Sequence, residues 1–538
     1  MNKCPACGGE LIYLPEVGKV YCEYCRSYFE PGGFVTKERY ASERKTTEGK
    51  IYACHECGAS LLTFDETAVT FCSYCGSQSM IEHKMVKINN PDYIIPFKVT
   101  KEECIEKYKK VMKKAFFVPK YMKDDLTVEK FRGIFMPYVI YTTSFHGECE
   151  NNGEVYSHRE GDYSIYDKYN VSVYVDMDYE GVSYDGLSIF YDEYSNSIPF
   201  KYTERVDYNK NYLAGYYADT KDVEDNLYDY LAEYITSKDS VNYLSKIKEY
   251  GSHGCETPRV DLKVSSRKIG MFPVYFLAIR NKHNKVHYAV INGQTGDIAA
   301  DLPIDFKKYL LSSIVLSVII FLLLNNFSII LPTTVLIFSI VCAFISLFIS
   351  NRQLNKIYEK ENKLDDLGYL FTKDEEKMNK EIEADKKVIN KEKSKPKVYK
   401  TNGFFDKFAF LSVIFLLAVP GIIYTLAYNT ISNYLLFIVG IGIVLFIINY
   451  KEKNDVFKNA HHKMPGSKKL RYLYKQIIAI CLGVYIMISY PINDEPYYIG
   501  AIGSLAIIIL SFYDLVKEYN IFSSNKLPQL EKRGGDEK

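Results

Sequence analysis

The chain has 538 residues, enough for several domains, and its formal net charge of +1 excludes a strongly basic or strongly acidic protein. Whole-chain averages hide a division: residues 1–305 are charged and rich in Tyr, whereas the remainder alternates long apolar runs with dense charge. Thirteen Cys in a small secreted domain would indicate disulfides, but Met1-Asn2-Lys3 runs straight into Cys4 with no apolar core for a secretory signal, so reduced thiols are expected.

Those thiols are regularly spaced. Cys4 and Cys7 are followed after fourteen residues by Cys22 and Cys25. Fifty positions later the pattern recurs as Cys54 and Cys57, then fourteen residues, then Cys72 and Cys75. Zinc takes four soft ligands in a tetrahedron, and Cys-x-x-Cys places two thiolates on one tight knuckle. The spacing predicts two zinc ribbons, over 1–30 and 51–80, joined by a linker at 31–50, with two structural Zn2+ ions. Thirty residues build too little core, so metal must supply much of the folding energy. Equal inserts favour independent sites over cross-bracing of the two units. Gly8 and Gly76 follow knuckles, where a left-handed residue is useful, and His55 reads as a bystander beside four thiolates. Short hairpins are expected from Leu11-Ile12-Tyr13 with Val20-Tyr21, and from Leu61-Leu62 with Val69-Thr70-Phe71. Residues 1–90 carry ten Lys and Arg against eleven Asp and Glu, and each tetrathiolate adds −2, so a phosphate-binding role is disfavoured.

An α+β domain is expected over about 90–305. Thr100 with Glu103 forms a capping box ahead of a helix bearing Ile105, Tyr108, Met112 and Ala115, which Pro119 ends. Val223, Leu227, Tyr230 and Tyr234 suggest a second helix. Strands are expected at Ile134–Phe145, Val171–Val175, Phe272–Ile279 and Val286–Ile291, the last running into the turn Asn292-Gly293-Gln294-Thr295-Gly296.

From Tyr309 to Asn351 and again from Phe408 to Tyr450 there are 43 residues without a charge, too long for one crossing helix each. With 476–513, split by Asp494 and Glu495, they predict helical hairpins at 309–350, 408–450 and 476–513, and so a six-span α-helical membrane region. The connections 351–405 and 451–475 are Lys-rich and the tight turns contain neither Lys nor Arg. The positive-inside rule therefore places both connections, the N-terminal domains and the tail 514–538 in the cytosol of a plasma-membrane protein. The connection at 351–405 reads as helical and solvated. Lys468-Lys469-Leu470-Arg471 is explained by topological anchoring.

No HExxH helix, GxxxxGK[ST] loop or GxSxG elbow occurs, so no enzymatic activity and no catalytic residue is assigned. His146 with Cys149 and His253 with Cys255 offer a thiol beside a base, but sequence proximity is poor evidence of catalytic geometry. His461-His462 reads as solvated.

The assembled pattern resembles bacterial multi-pass membrane proteins labelled as containing a TFIIB-type zinc ribbon or as primosomal protein N′-like. The carrying residues are the ribbons, Ile95-Pro96-Phe97, Gly133 through Met136-Pro137-Tyr138, and Tyr212-Leu213-Ala214-Gly215-Tyr216-Tyr217-Ala218. Phe272-Pro273-Val274-Tyr275, Tyr288 through Gly296, the apolar runs and Lys532-Arg533-Gly534-Gly535-Asp536 complete the set. Relatives carry Trp near Tyr138 and Val274, where this chain has none. The segment 271–300 resembles a PepSY-type hairpin. The resemblance implies no established reaction. Together these features suggest a membrane-anchored cytosolic adaptor or regulator with a protein partner. A membrane-tethered nucleic-acid binder, or a transporter or envelope enzyme, are the alternatives.

Overall fold

A computed structural model describes residues 3–33, 46–56, 59–63, 72–75, 77–78, 80–124, 131–244, 260–280, 285–327, 331–362, 366–393, 466–522 and 525–526. The chain divides into two compact units, one of Met1–Leu302 with Asp365–Met378 and Ser524–Lys538, the other of Pro303–Leu364 with Asn379–Ser523.

The first unit is the α+β body. Its N-terminal sheet joins β1 (Leu11–Leu14), β2 (Lys19–Cys22) and β3 (Tyr28–Phe29) as an antiparallel meander. A twelve-stranded sheet holds the remainder. Within it, β4 (Thr46–Cys54) pairs with β5 (Ser60–Thr63) and with β6 (Met80–Asn89), so the expected linker becomes strand from Thr46. β7 (Tyr93–Ile94) leads to α1 (Lys101–Lys114). The capping box is complete there: the Glu103 amide donates to the Thr100 hydroxyl at 3.1 Å and the Thr100 amide to the Glu103 carboxylate at 3.0 Å.

The centre of the sheet is the pair β8 (Arg132–Glu160) and β9 (Tyr163–Asp185), with β8 also pairing antiparallel to β12 (Lys263–Arg280). The short strand β10 (Val206–Asp207) pairs with β7 at one end of the strand order, and β11 (Tyr217–Ala218) lies between β8 and β5. β13 (Lys285–Asn292) and β14 (Ile298–Ala300) close that side through the expected turn, with Gly296 at φ +80°. Runs such as Ile134-Phe135-Met136 are apolar without alternation because both faces of the sheet are covered. Phe135, Tyr275 and Ile291 point into one core with Phe97, Tyr108 and Phe131. Their neighbours Ile134, Met136, Phe276 and Val290 point into the other, with Tyr138 and Phe190. The side-chain period of two makes that division.

Two short helices, α2 (Asp192–Ser197) and α3 (Asp229–Leu244), pack on the body. The second begins later than the sequence pattern suggests, since Val223 and Leu227 are buried in the turn ahead of it. The body also recruits part of the charged connection. A helix at Leu367–Lys373, capped by the Asp366 carboxylate, buries Leu367 and Leu370, and the Leu367 amide donates to Asp192 at 3.1 Å. A short apolar run inside a charged stretch is enough to be drawn into a core, so this part is not solvated.

The second unit contains helices at Phe306–Phe327, Pro332–Asn362, Gly466–Ser489 and Glu495–Phe522. Among the described residues, three are long and apolar enough to cross a membrane: Val335–Tyr358, Lys469–Ser489 and Glu495–Asn520. These three give the protein its membrane association. The expected six-span region is thus corrected to three candidate spans. Of the hairpin at 309–350 only its second limb is among them, and 408–450 lies outside the described residues. An uncharged run reports a favourable transfer energy; it does not establish how many crossing helices the run forms. The three pack through small residues: Ala343 and Ala479 are fully buried together with Ile508, and a Cβ on Gly483 would collide with Ile340.

Candidate metal centres

The four knuckles share one local construction. The amide of the first Cys donates to the carbonyl five residues on: Cys4 to Gly9 at 2.8 Å, Cys22 to Ser27 at 3.1 Å, Cys54 to Ala59 at 2.8 Å and Cys72 to Ser77 at 2.7 Å. In the first pair, the residue after the second Cys is left-handed, Gly8 at φ +76° and Arg26 at φ +56°. That conformation turns the chain back over the sulfurs and costs least for glycine.

This folding brings Cys4, Cys7, Cys22 and Cys25 together with every pair of sulfurs within 4.8 Å, and Cys54, Cys72 and Cys75 likewise. Cys57, the fourth expected ligand of the second group, lies outside the described residues. Sulfurs of Cys4 and Cys25, of Cys7 and Cys22, and of Cys54 and Cys75 are each 3.5 Å apart. A disulfide needs about 2.05 Å. A zinc tetrathiolate with Zn–S near 2.3 Å has sulfur edges of about 3.8 Å, which these clusters fit. Both clusters could therefore hold zinc, and among the described residues each draws its cysteines from its own repeat. His55 is exposed.

The protons of the first cluster are unevenly held. Around Cys7 the Gly9 amide favours the thiolate, but local desolvation and the thiols of Cys22, Cys25 and Cys4 together push it up to about 12. Hydrogen bonding from Ser27 draws Cys25 down to about 6. Four sulfurs this close cannot all ionise without a cation among them.

The clusters are seated on opposite faces of the sheet. Leu11, Tyr13 and Val20 enter the core of Phe97 and Phe135, the Tyr13 amide donates to Ala214 at 3.0 Å and Asn211 donates to the Pro31 carbonyl at 2.8 Å. Only the hairpin side of this ribbon is docked; Cys7 and residues 5–8 are exposed. The described cysteines of the second cluster lie deeper. Cys54, Cys72 and Cys75 are all buried in the core of Ile134, Phe190 and Phe276. Tyr74, inside the knuckle, packs its ring 5.3 Å from that of Phe276 and donates its hydroxyl to Asp219. Burial, then the neighbouring Asp219, hold the Tyr74 phenol well above its ordinary range. Its repeat partner Tyr24 is 84 % exposed, against 1 % for Tyr74.

No family model matches the chain, and no solved structure matches it. A curated relative does: Uncharacterized protein YdjG of Bacillus subtilis (strain 168). It is 28 % identical over 311 residues, which is 57 % of this chain and 91 % of the relative. These comparisons show no zinc-ribbon family for the chain; what the structure supports is that the cysteine clusters could hold zinc.

The other candidate pairs fare differently. His146 and Cys149 are an odd number of residues apart on one strand, so they face opposite sides. Cys149 is buried beside Val175 and Val260, while the His146 Nδ1 lies 2.6 Å from Asp176 and its Nε2 3.6 Å from Asp178. No thiol–imidazole couple forms. The His146, Asp176 and Asp178 group is exposed, and its members are too distant in sequence to have been grouped by spacing. His253, Cys255, His461 and His462 lie outside the described residues.

Proposed function

We propose that this chain is a membrane-anchored zinc-ribbon adaptor that binds a protein partner at the cytosolic face of the plasma membrane, with two structural Zn2+ ions and no catalytic role. The observation that carries the reading is the contrast between Tyr24 and Tyr74. Both occupy the same knuckle position, but one is spent on the core and the other, like Tyr28 of the same ribbon, is presented to solvent. A large exposed aromatic on a rigid knuckle is the type of group that anchors protein interfaces. The near-neutral charge of residues 1–90, made more negative by each tetrathiolate, disfavours nucleic acid as the partner.

The cytosolic orientation is supported by charge at the ends of the spans. Arg352, Lys356, Lys469, Arg471 and Lys517 cluster at the ends away from the turn at 490–494, which has no Lys or Arg. The same orientation keeps the thiols reduced.

The test is crosslinking in intact cells followed by membrane solubilisation and comparison of wild type with Tyr24→Ala and with the exposed control Tyr156→Ala. A partner held by the wild type and the control, and lost at least tenfold from Tyr24→Ala, is expected. Identical recovered sets would overturn the reading. Impermeant maleimide reaching Cys7 from outside intact cells would overturn the orientation.

A further inference from the structure

We infer that the end of α1 and the turn behind it form a docking surface for anionic lipid headgroups. The inference takes the membrane association of the three spans as given, and it rests on neither the zinc reading nor the protein partner.

The chain nets only +1, yet from Lys107 to Lys123 it carries seven Lys and no Asp, Glu or Arg. Cys104, Tyr108 and Met112 turn one face of α1 into the core, which leaves Lys109, Lys110, Lys113 and Lys114 exposed on the other side of its last two turns. The helix dipole accounts for cations in the last turn, Lys113 and Lys114. It does not account for Lys109, Lys110 and Lys120, which are also exposed.

Nor does it account for the aromatic that follows. The turn after α1 is built around buried Val118 and Met122, and the Tyr108 hydroxyl donates to the Met122 carbonyl at 2.9 Å. That anchorage leaves Phe116 at the bend, 65 % exposed. Lys123 folds back to donate its ammonium to the Ala115 carbonyl at 3.1 Å, one residue from Phe116. Among the described residues, Lys110, Lys113, Lys114 and Lys120 enter no ion pair. An exposed ring among ammonium groups suits the boundary of an anionic bilayer, where the ring enters below the headgroups and the lysines meet the phosphates.

Nucleic acid would draw on the same charge. Lipid is favoured for two reasons. The spans keep the chain within reach of a bilayer at all times, which raises the effective concentration of that surface. The patch also lacks Arg, the residue that grips phosphates and guanine edges with a planar fork.

The chain contains no Trp, so Phe116→Trp places a single fluorescent reporter in the patch. Full-length protein carrying it is reconstituted into liposomes of phosphatidylcholine, alone or mixed with phosphatidylglycerol, each with and without brominated acyl chains. Each lysine near an anionic leaflet strengthens the contact about fivefold, so bromine-dependent quenching should be at least about fivefold stronger in the anionic liposomes. Salt at about 1 M, which screens charge beyond about 3 Å, should remove the difference. Lys109→Gln, Lys110→Gln, Lys113→Gln and Lys114→Gln together should abolish it. The same four changed to Arg should retain it, which separates loss of charge from loss of fold. Tyr156→Trp, at an exposed position on β8, should be unquenched in both lipids. Equal quenching of the Phe116→Trp protein in the two lipids, none in either, or quenching of Tyr156→Trp to the same extent would overturn the inference. A reporter that answered to a single-stranded oligonucleotide and not to phosphatidylglycerol would overturn it too, and would assign the patch to nucleic acid.

Discussion

Tyr74 and Asp219 are 145 positions apart in sequence, yet the phenol of one donates to the carboxylate of the other in the interior of the body. The contact joins a metal knuckle to the loop after β11, whose Ala218 pairs with Leu62 of the same ribbon and with Phe135 of β8. The segment Cys72–Cys75 is by this means an interior part of the body.

Removing the Tyr74 hydroxyl deletes one donor to the buried Asp219 carboxylate, which keeps the Thr220 amide at 2.7 Å. Tyr74→Phe is expected to cost the body about 1–3 kcal/mol, read as a lower thermal midpoint by near-ultraviolet circular dichroism. Tyr24→Phe, at the equivalent exposed position, should shift it by no more than about 0.5 kcal/mol. Equal effects at the two positions would show that the buried hydrogen bond does not contribute.

Part of this organisation was legible beforehand. Cys spacing located both clusters because metal geometry constrains neighbours within a knuckle, and Thr100 with Glu103 located α1 because capping is local. What spacing could not give was the burial of one knuckle tyrosine and the exposure of the other, since Tyr24 and Tyr74 sit in nearly identical local sequence. Their difference is made by Asp219 and Phe276, far along the chain. The helix at Leu367–Lys373 was hidden for a similar reason, as its partner Asp192 lies 175 positions away. Hydropathy likewise marked apolar runs, yet could not count crossings.

The capping box at α1 gives a local test. Thr100→Ala removes the acceptor for the Glu103 amide and should destabilise the body by about 1 kcal/mol, measurable by urea denaturation. Thr100→Ser keeps the acceptor and should restore nearly all of it. If Ala and Ser behaved alike, the cap would contribute nothing.

Asp185 is buried, and only one of its carboxylate oxygens has a partner, the Leu187 amide at 3.3 Å. Burial, and then the nearby Asp192, hold its carboxyl well above the usual range. An acid raised in this way binds its proton more tightly folded than unfolded. Its contribution to stability is therefore full below about pH 4, the unfolded value, and is lost as pH rises toward the folded one. Asp185→Asn removes that term. Between pH 5 and pH 8 the wild type should lose more thermal stability than the variant, and parallel profiles would refute the assignment.

The membrane unit offers its own test at Gln476, which is buried between spans with its amide 3.1 Å from the Ser350 hydroxyl and in hydrogen-bonding contact with Ser511. Lipid supplies no competing water, but a serine hydroxyl can bond back to its own helix, so the net worth of such contacts is modest. Gln476→Leu should weaken the association of these helices by about 0.6–1.7 kcal/mol, read as a lower SDS fraction at half-unfolding in bicelles. The control Ile488→Leu should leave that midpoint unchanged, because its side chain is 78 % exposed and takes little part in helix packing. An unshifted midpoint in Gln476→Leu would mean that small-residue packing at Ala343, Ala479 and Gly483 holds the spans together without help from the polar pair.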